Sequence, residues 1–342
     1  MQKKSFFKIL ILFFLTALLV GVFFYDQNTK LYTDSQFAMD TFMNYKLYGN
    51  NAEKTIEEIK LYVSSLEQKL SLYKEDSEVS QINKNAGKEF VKVSDETFEI
   101  LSYAKKLCED SNGTLDITIA PLTTLWNINS ETPKVPSLED INIKKQLVDF
   151  NDIILDKSTN SVKLKKEGQA IDLGGFAKGY VCEKAVEICK KNKVKSGIIS
   201  IGGNVALVGK KTISVGITVP EIDKVGTFAK VNLKNTIIAT SGGYERYFEE
   251  NGIIYEHIIN PHSGFPAESD LISVSVISND GIITDAFSTR LYIEGLQSVK
   301  NLLEDENVGI IAVDEEKNVY VSKWLKEFVT LNEQFPEYKF AE

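Results

Sequence analysis

Histidine and cysteine are scarce in this chain, which has two histidines and three cysteines in 342 residues. It contains no CxxC and no HExxH motif, which argues against the common zinc centres. Cys182 and Cys189 lie seven residues apart in a predicted helix, a separation of about 10.5 Å along the axis that is too long for a disulfide. Positive charge is also in short supply, since 39 Lys and Arg stand against 48 Asp and Glu. The net charge of −9 argues against nucleic acid as a partner.

The N-terminus carries an uninterrupted apolar run at residues 9–24. With its flanks the run reaches about 20 residues, which is the length that spans a bilayer. Lys3, Lys4 and Lys8 precede or enter it, which predicts a cytoplasmic N-terminus. The residues that follow make a poor cleavage site, and the first cysteine, Cys108, lies too far on for a lipoprotein. An uncleaved anchor is therefore favoured over a cleaved secretory signal.

These features predict two regions. Residues 1–28 would hold the cytoplasmic lysines and the membrane anchor, and residues 29–342 a single domain on the extracytoplasmic side of the cell membrane. An extracytoplasmic domain without a disulfide framework is typical of a bacterium.

The remaining pattern is typical of an α+β fold with largely antiparallel sheets and packed helices. Residues 26–36 are polar and are predicted to form a tether, followed by a strand that ends at Gly49. Apolar residues at helical spacing predict a helix over 51–72, and Ser94 is a predicted N-cap for a second one. Further helices are predicted near 176–192, 283–294 and 297–305. Strands are predicted at 151–156, 161–165, 169–173, 212–219, 227–233, 236–240, 253–259 and 271–278, with two strands around a Gly-Gly turn over 197–209 and a hairpin over 308–322.

The segment "IDLGGFAKGY" leads from a predicted strand through Gly174 and Gly175 into a helix. Free N–H groups at a helix N-terminus favour phosphate, and Lys178, one turn into that helix, lies within reach of it. Asp172 ends the strand. For this segment alone, an ordinary Gly-Gly turn with a surface lysine is favoured over a phosphate site.

The segment "TDAFSTR" places Asp285 and Thr289 four residues apart, on one face of a predicted helix. A carboxylate and a hydroxyl are hard oxygen ligands that suit Mg²⁺. The competing interpretation is that Asp285 only caps the helix, and on this segment alone it is favoured.

Both histidines lie in "EHIINPHSGFP". In a strand over 253–259, His257 shares a face with Ile253, Tyr255 and Ile259, whereas His262 lies in an exposed loop. A five-residue spacing across Asn-Pro disfavours a two-histidine metal site. A core histidine is the usual interpretation of such a position, and general-base catalysis is the functional one.

Eight ordered segments together resemble the ApbE family of FAD:protein FMN transferases over about residues 36–325. They are "AMDTFMNYKLYG", "LSLYKEDSEVSQIN", "SNGTLDITIAPL", "IDLGGFAKGYVCEKA", "SIGGNV", "TSGGYERYF", "HIINPHSGFP" and "TDAFSTRLYIEG". The resemblance implies a T-fold-like domain of two lobes with FAD in the cleft between them. It also implies a Mg²⁺-dependent reaction that joins the FMN half of FAD, through its phosphate, to a Thr or Ser of an acceptor protein and releases AMP. The acceptor would be a redox-complex subunit or a flavinylated lipoprotein.

The resemblance also assigns roles to residues of this chain. It implies His257 as the base and Asp285, Thr289 and the Gly175 carbonyl as metal ligands. The residues that it implies as FAD contacts are Met39, Ser71, Leu72, Tyr73, Thr114, Leu115, Asp116, Asp172, Lys178 and His257. This chain departs from the family pattern at Gly243, where the family often has Asp, and at His262, where it often has Arg or Lys.

Two alternatives stay open. A Mg²⁺-dependent FAD pyrophosphatase would use the same residues with water in place of the acceptor hydroxyl. A flavin-binding protein without turnover would not need His257, Asp285 and Thr289 together, so the combination disfavours it.

Overall fold

The computed structural model describes residues 30–341. The predicted anchor lies outside the described residues. Within 30–341, no helix is long and apolar enough to cross a membrane.

The α+β prediction is confirmed. The strands are β1 (Leu31–Ala38), β2 (Thr41–Tyr48), β3 (Val91–Lys92), β4 (Ile153–Asp156), β5 (Ser161–Leu164), β6 (Ser196–Ile201), β7 (Asn204–Gly209), β8 (Ile213–Thr218), β9 (Thr227–Leu233), β10 (Ile237–Ser241), β11 (Tyr247–Glu250), β12 (Ile253–Glu256), β13 (Leu271–Ser278), β14 (Gly309–Asp314), β15 (Asn318–Val321), β16 (Val329–Leu331) and β17 (Lys339–Phe340). The α-helices are α1 (Ala52–Leu70), α2 (Glu78–Lys84), α3 (Asp95–Asp110), α4 (Ala120–Trp126), α5 (Leu138–Lys145), α6 (Ala177–Lys191), α7 (Gly281–Glu294) and α8 (Leu296–Leu302).

A nine-stranded sheet forms the centre of the fold, in the order β1-β2-β6-β7-β10-β13-β14-β15-β17. Its neighbouring strands are antiparallel except for the last pair, β15 and β17. Smaller sheets are formed by β16-β9-β8, by β3-β5-β4 and by the β11–β12 hairpin.

The central sheet has an apolar layer on each face, because consecutive residues of a strand point to opposite sides. On β10, Ile237 belongs to the core shared with helices α1, α3 and α6, whereas Ile238 belongs to the core shared with β8 and β9. On β2, Met43, Tyr45 and Leu47 are fully buried and the residues between them are exposed. The alternation therefore fixes which face each strand presents to the helices.

Capping side chains set several helix starts. Ser94 accepts a hydrogen bond from the Thr97 N–H, as predicted for α3. Asp280 accepts one from the Ile283 N–H at the start of α7. Asp280 is thus the cap of α7, and the interpretation of Asp285 as a cap is wrong.

Three predicted boundaries are wrong. The tether predicted over 26–36 overlaps β1, whose polar residues face solvent while its backbone pairs with β2. The strand predicted over 169–173 is an irregular segment, because Asn83 Oδ1 and the Ile117 carbonyl take its N–H groups. The strand predicted over 253–259 ends at Glu256, where the two-stranded pairing with β11 ends.

Candidate functional site

One end of the central sheet borders a cavity of about 650 Å³. The β1–β2 turn, the β6–β7 turn at Gly202 and Gly203, and the end of β10 contribute to its wall. Every residue that the sequence predicted for the site lines this cavity, namely Met39, Ser71, Leu72, Tyr73, Thr114, Leu115, Asp116, Asp172, Gly175, Lys178, His257, Asp285 and Thr289. Folding therefore brings together residues that are up to 250 positions apart in the chain, since Met39 and Thr289 are its first and last members.

An oxygen-rich corner of the cavity is formed by α7 and the loop before α6. Asp285 is buried, and its Oδ2 accepts a hydrogen bond of 2.9 Å from the Gly179 N–H. One turn later, Thr289 Oγ1 lies 3.2 Å from Ser241 Oγ. A Cβ built on Gly175 would lie 3.9 Å from Thr289 Oγ1, so these two residues are adjacent. The corner thus gathers a carboxylate and a hydroxyl, with the backbone of Gly175 next to the hydroxyl.

This donor set fits a hard cation that keeps waters and substrate oxygens as its other ligands. Over residues 30–341, no three His, Cys, Asp or Glu side chains are grouped as a metal cluster.

The Gly174–Gly175 segment leads into α6, which places the ammonium group of Lys178 beside the oxygen-rich corner. The Gly174 N–H donates to Asp172 Oδ1 at 2.8 Å, which fixes the turn before α6. Lys178 lies in the first turn of α6 rather than one turn further on, and its Nζ donates to the Gly174 carbonyl. The same Nζ is 3.9 Å from Asp285 Oδ2. Lys178 therefore stands at the cavity wall with its charge next to the oxygen donors.

His257 follows directly after β12, and its backbone N–H donates to the Arg246 carbonyl at 3.1 Å. Burial, together with the nearby charges of Arg246 and Lys178, lowers the pKa of His257 to about 4. Its Nδ1 has no hydrogen-bond partner in the described part of the chain. The imidazole is therefore neutral at physiological pH and has a free ring nitrogen.

The predicted apolar face of the His257 strand is wrong at Ile253, which is 55% exposed, whereas Ile259 is buried and packs in the same cluster as Tyr255. Glu256, on the other face, is 7% exposed. The hairpin projects from the sheet, so its tip is solvated and only its base is covered. His262 is exposed in the following loop, as predicted, and does not pair with His257.

The other predicted contacts line the cavity as well. Ser71 Oγ accepts from the Tyr73 N–H, and Tyr73 is 84% exposed at the rim. Asp116 is buried, and its oxygens accept from Thr118 and from the Phe150 N–H, so its carboxylate is engaged inside the protein. Burial raises the pKa of Asp116. Thr114 and Leu115 precede it along the same wall.

Four charged residues that the sequence did not single out also line the cavity: Asp40, Glu67, Glu245 and Arg246. Glu67 Oε1 accepts from the Met39 N–H at 2.7 Å, and Arg246 bridges to Asp40. Glu245 and Arg246 lie in the "TSGGYERYF" segment, which is one of the segments that resemble the family. The resemblance assigns no site role to either side chain. Burial raises the pKa of Glu245 against the opposing effect of Lys178 and Arg246.

Gly243, where the family pattern often has Asp, has a structural role in this chain. A Cβ at this position would overlap Glu256 Oε2 and would lie 3.0 Å from the Tyr292 hydroxyl. The absence of a side chain at Gly243 therefore makes room for the buried carboxyl of Glu256.

The chain is similar to known proteins over most of its length. The model of the ApbE family matches residues 39–313. A FAD:protein FMN transferase of Klebsiella pneumoniae is 31% identical over 86% of this chain and 93% of its own length. One from Haemophilus influenzae is 28% identical over 90% of this chain and 93% of its own.

Solved structures share the fold. The crystal structure of an ApbE protein from Thermotoga maritima is 30% identical, with a TM-score of 0.81 over 87% of this chain and 99% of that one. The flavin transferase ApbE from Vibrio cholerae has a TM-score of 0.78 over 87% of this chain and 99% of that one, and at 23% identity it shows the fold alone. This chain belongs to the ApbE family.

Proposed function

We propose that this protein is a Mg²⁺-dependent FAD:protein FMN transferase, which attaches FMN through a phosphoester bond to a Thr or Ser of an acceptor protein and releases AMP. The observation that carries the proposal is one cavity in which a neutral His257 shares the wall with Lys178, Asp285 and Thr289. Relatives of similar length are named FAD:protein FMN transferases. Phosphoryl transfer needs positioned phosphates, charge neutralisation and an activated hydroxyl, and this set provides a residue for each.

FAD binding is assigned to the cavity walls. Lys178 offers positive charge to the pyrophosphate. The N–H groups predicted to hold phosphate at the start of α6 are largely engaged, since those of Phe176 and Ala177 donate to the Leu173 carbonyl and that of Gly179 to Asp285. Met39, Ser71, Leu72 and Tyr73 form the wall proposed for the flavin. Thr114, Leu115, Asp116 and Asp172 complete the proposed FAD-binding set.

Asp285, Thr289 and the Gly175 carbonyl are the residues that would hold Mg²⁺. When bound there, Mg²⁺ would neutralise phosphate charge, which a protein of net charge −9 otherwise repels. The Gly179 N–H orients the Asp285 carboxylate toward this corner by binding its Oδ2.

His257 is the proposed base. The acceptor hydroxyl oxygen forms a bond to the phosphorus of the FMN half, while the bond from that phosphorus to the bridging oxygen breaks. The bridging oxygen leaves with AMP, and a ring nitrogen of His257 takes the hydroxyl proton. Because the pKa of His257 is lowered to about 4, the ring is unprotonated before the step at neutral pH.

We also propose an extracytoplasmic location at a bacterial cell membrane, with residues 1–28 as the anchor. The apolar run and its preceding lysines in the sequence support this. Fractionation of cells and protease protection of the full-length protein test it; recovery in the cytosol would contradict it.

The transfer reaction is tested with the full-length protein, FAD, Mg²⁺ and a candidate acceptor. We expect the acceptor to gain the mass of FMN less one water, with one AMP released per FMN attached. AMP release without any gain in the acceptor would favour the FAD pyrophosphatase, in which water replaces the hydroxyl. FAD binding without AMP release would indicate a flavin-binding protein without turnover.

The metal assignment predicts that Asp285→Asn lowers turnover about 100-fold or more, because the anionic oxygen donor is lost. Asp280→Asn is the matched control, since it removes a carboxylate from the same helix and keeps an oxygen for the N-cap. Initial rates are measured against Mg²⁺ concentration for both variants. Equal rates in Asp285→Asn and the wild type would rule out this ligand set.

A further inference from the structure

Two walls of the cavity are joined by a contact between residues that are 206 positions apart. Arg246 Nη1 donates to Asp40 Oδ2 at 2.9 Å, and Arg246 Nη2 donates to the Asp40 carbonyl at 2.7 Å. A guanidinium has a rigid planar fork of donors, so two contacts fix its position and its direction. Asp40 lies in the β1–β2 turn and Arg246 just before β11, and both line the cavity.

The position of Arg246 also fixes the backbone of His257. β11 and β12 pair antiparallel from Tyr247 opposite Glu256, so Arg246 and His257 are the next pair beyond the strands. The Arg246 carbonyl accepts the His257 N–H at 3.1 Å. The backbone of Arg246 is thereby hydrogen-bonded to the backbone of the residue proposed as the base.

The Asp40 side of the contact is held independently. Met39 and Asp40 have φ values of 51° and 57°, a left-handed conformation in which Asp is among the better tolerated residues. The Met39 N–H donates to Glu67 Oε1 at 2.7 Å, and Glu67 Oε2 pairs with Lys74 at 2.7 Å. The turn is thus a fixed point to which Arg246 is attached.

The contact is poorly suited to stabilising the fold. The side chains of Arg246 and Asp40 are 37% and 66% exposed, and ion pairs at such exposure contribute little to stability. What the contact provides is a defined geometry across the cavity.

We propose that Asp40 and Arg246 form a clamp that positions His257 relative to the Met39 turn during FMN transfer. The clamp consists of these two residues, acts through the Arg246 carbonyl, and rests on the proposed function. Both are positioning residues. The clamp holds the base at a set distance from the wall assigned to the flavin.

The test is a double-mutant cycle in the full-length protein. We expect Arg246→Gln to lower kcat for FMN transfer about tenfold and Asp40→Asn about threefold, because misplacement of a catalytic group lowers the rate steeply. The double variant should lose about tenfold rather than roughly thirtyfold, since both changes disrupt the same contact. The KM for FAD should change less than kcat. Lys323→Gln, which removes an exposed cation paired with Glu304, is the control and should keep the wild-type rate.

A second measurement is independent of activity. Hydrogen exchange at the His257 amide should be faster in Arg246→Gln than in the wild type, with the same melting temperature. Losses that multiply in the double variant, an unchanged kcat in Arg246→Gln, or unchanged exchange at His257 would overturn the clamp. The clamp would also be overturned if, in Arg246→Gln, the KM for FAD rose by as large a factor as kcat fell while Asp40→Asn behaved like the wild type. That result would indicate that Arg246 binds FAD directly.

Failure of the proposed function is distinguishable from failure of the clamp. If the wild type neither releases AMP nor modifies an acceptor, the transferase proposal fails. The exchange measurement then decides alone whether the clamp orders the His257 backbone.

Discussion

His257 owes its chemistry to its surroundings. Burial removes the water that would stabilise the charged ring, and the positive charges of Arg246 and Lys178 oppose protonation further, so the pKa falls to about 4. The same residue type in solution titrates near ~6.5. A half-buried position and the proposed catalytic role are therefore compatible, since the surroundings keep the ring unprotonated.

The lowered pKa is directly measurable because the chain has only two histidines. In the variant His262→Gln, one imidazole remains, and NMR follows its ring signals against pH. We expect a midpoint near 4, as burial and the adjacent cations disfavour the charged ring. A midpoint near ~6.5 would show that the ring is solvated and that its proposed tuning is wrong.

Helices α6 and α7 owe their close approach to a pair of glycines. A Cβ on Gly179 would overlap the Gly281 carbonyl oxygen and would lie 2.7 Å from Asp285 Cβ. This approach lets the Gly179 N–H reach Asp285 Oδ2 at 2.9 Å. The packing of two helices thus sets the orientation of the carboxylate in the oxygen corner.

We expect Gly179→Ala to destabilise the protein by roughly 3 kcal/mol, because backbone atoms on the facing helix cannot yield to a new methyl group. Gly175→Ala is the control: its Cβ would meet Thr289 Oγ1 at an ordinary 3.9 Å, so the change should stay within about 0.5 kcal/mol. Urea unfolding measures both. Equal stability of the two variants would mean that α6 and α7 separate at little cost.

Within residues 30–341, the fold buries the carboxyl group of Glu256 with little polar compensation. Glu256 is 7% exposed, its oxygens make no hydrogen bond of normal geometry, and the nearby Tyr292 hydroxyl only partly offsets the effect of burial on its pKa. Burial raises its pKa to about 8. The folded state therefore retains a proton on this group between pH 4.5 and 8 that the unfolded chain gives up, so the group destabilises the fold progressively as pH rises through that range.

Glu256→Gln removes this titration. We expect the change in unfolding free energy from pH 5 to pH 8 to differ between the wild type and the variant by roughly 3 kcal/mol, with the wild type losing more. His257 contributes in the opposite direction, since its lowered pKa costs stability as pH falls from 6.5 toward 4. It is present in both proteins, so its effect cancels. Parallel pH profiles would show that Glu256 is ionised and solvated in the fold.

Local patterns in the sequence predict much of the secondary structure. The strands at Thr227–Leu233 and Leu271–Ser278 are confirmed as predicted, and so is the Ser94 cap of α3. Alternation and capping involve residues only a few positions apart, so one sequence displays them. β1 was missed because its polar residues carry no such pattern, and only pairing with β2 defines it.

The sequence by itself determined the family resemblance that predicts thirteen residues for the site, and all thirteen line one cavity. Only the tertiary structure decided how they are held. The contact from Asp40 to Arg246, the approach of Gly179 to Gly281 and the burial of Glu256 beside Gly243 join distant parts of the chain. Such contacts leave no periodic trace in a sequence, because they depend on how whole elements pack rather than on the spacing of neighbouring residues.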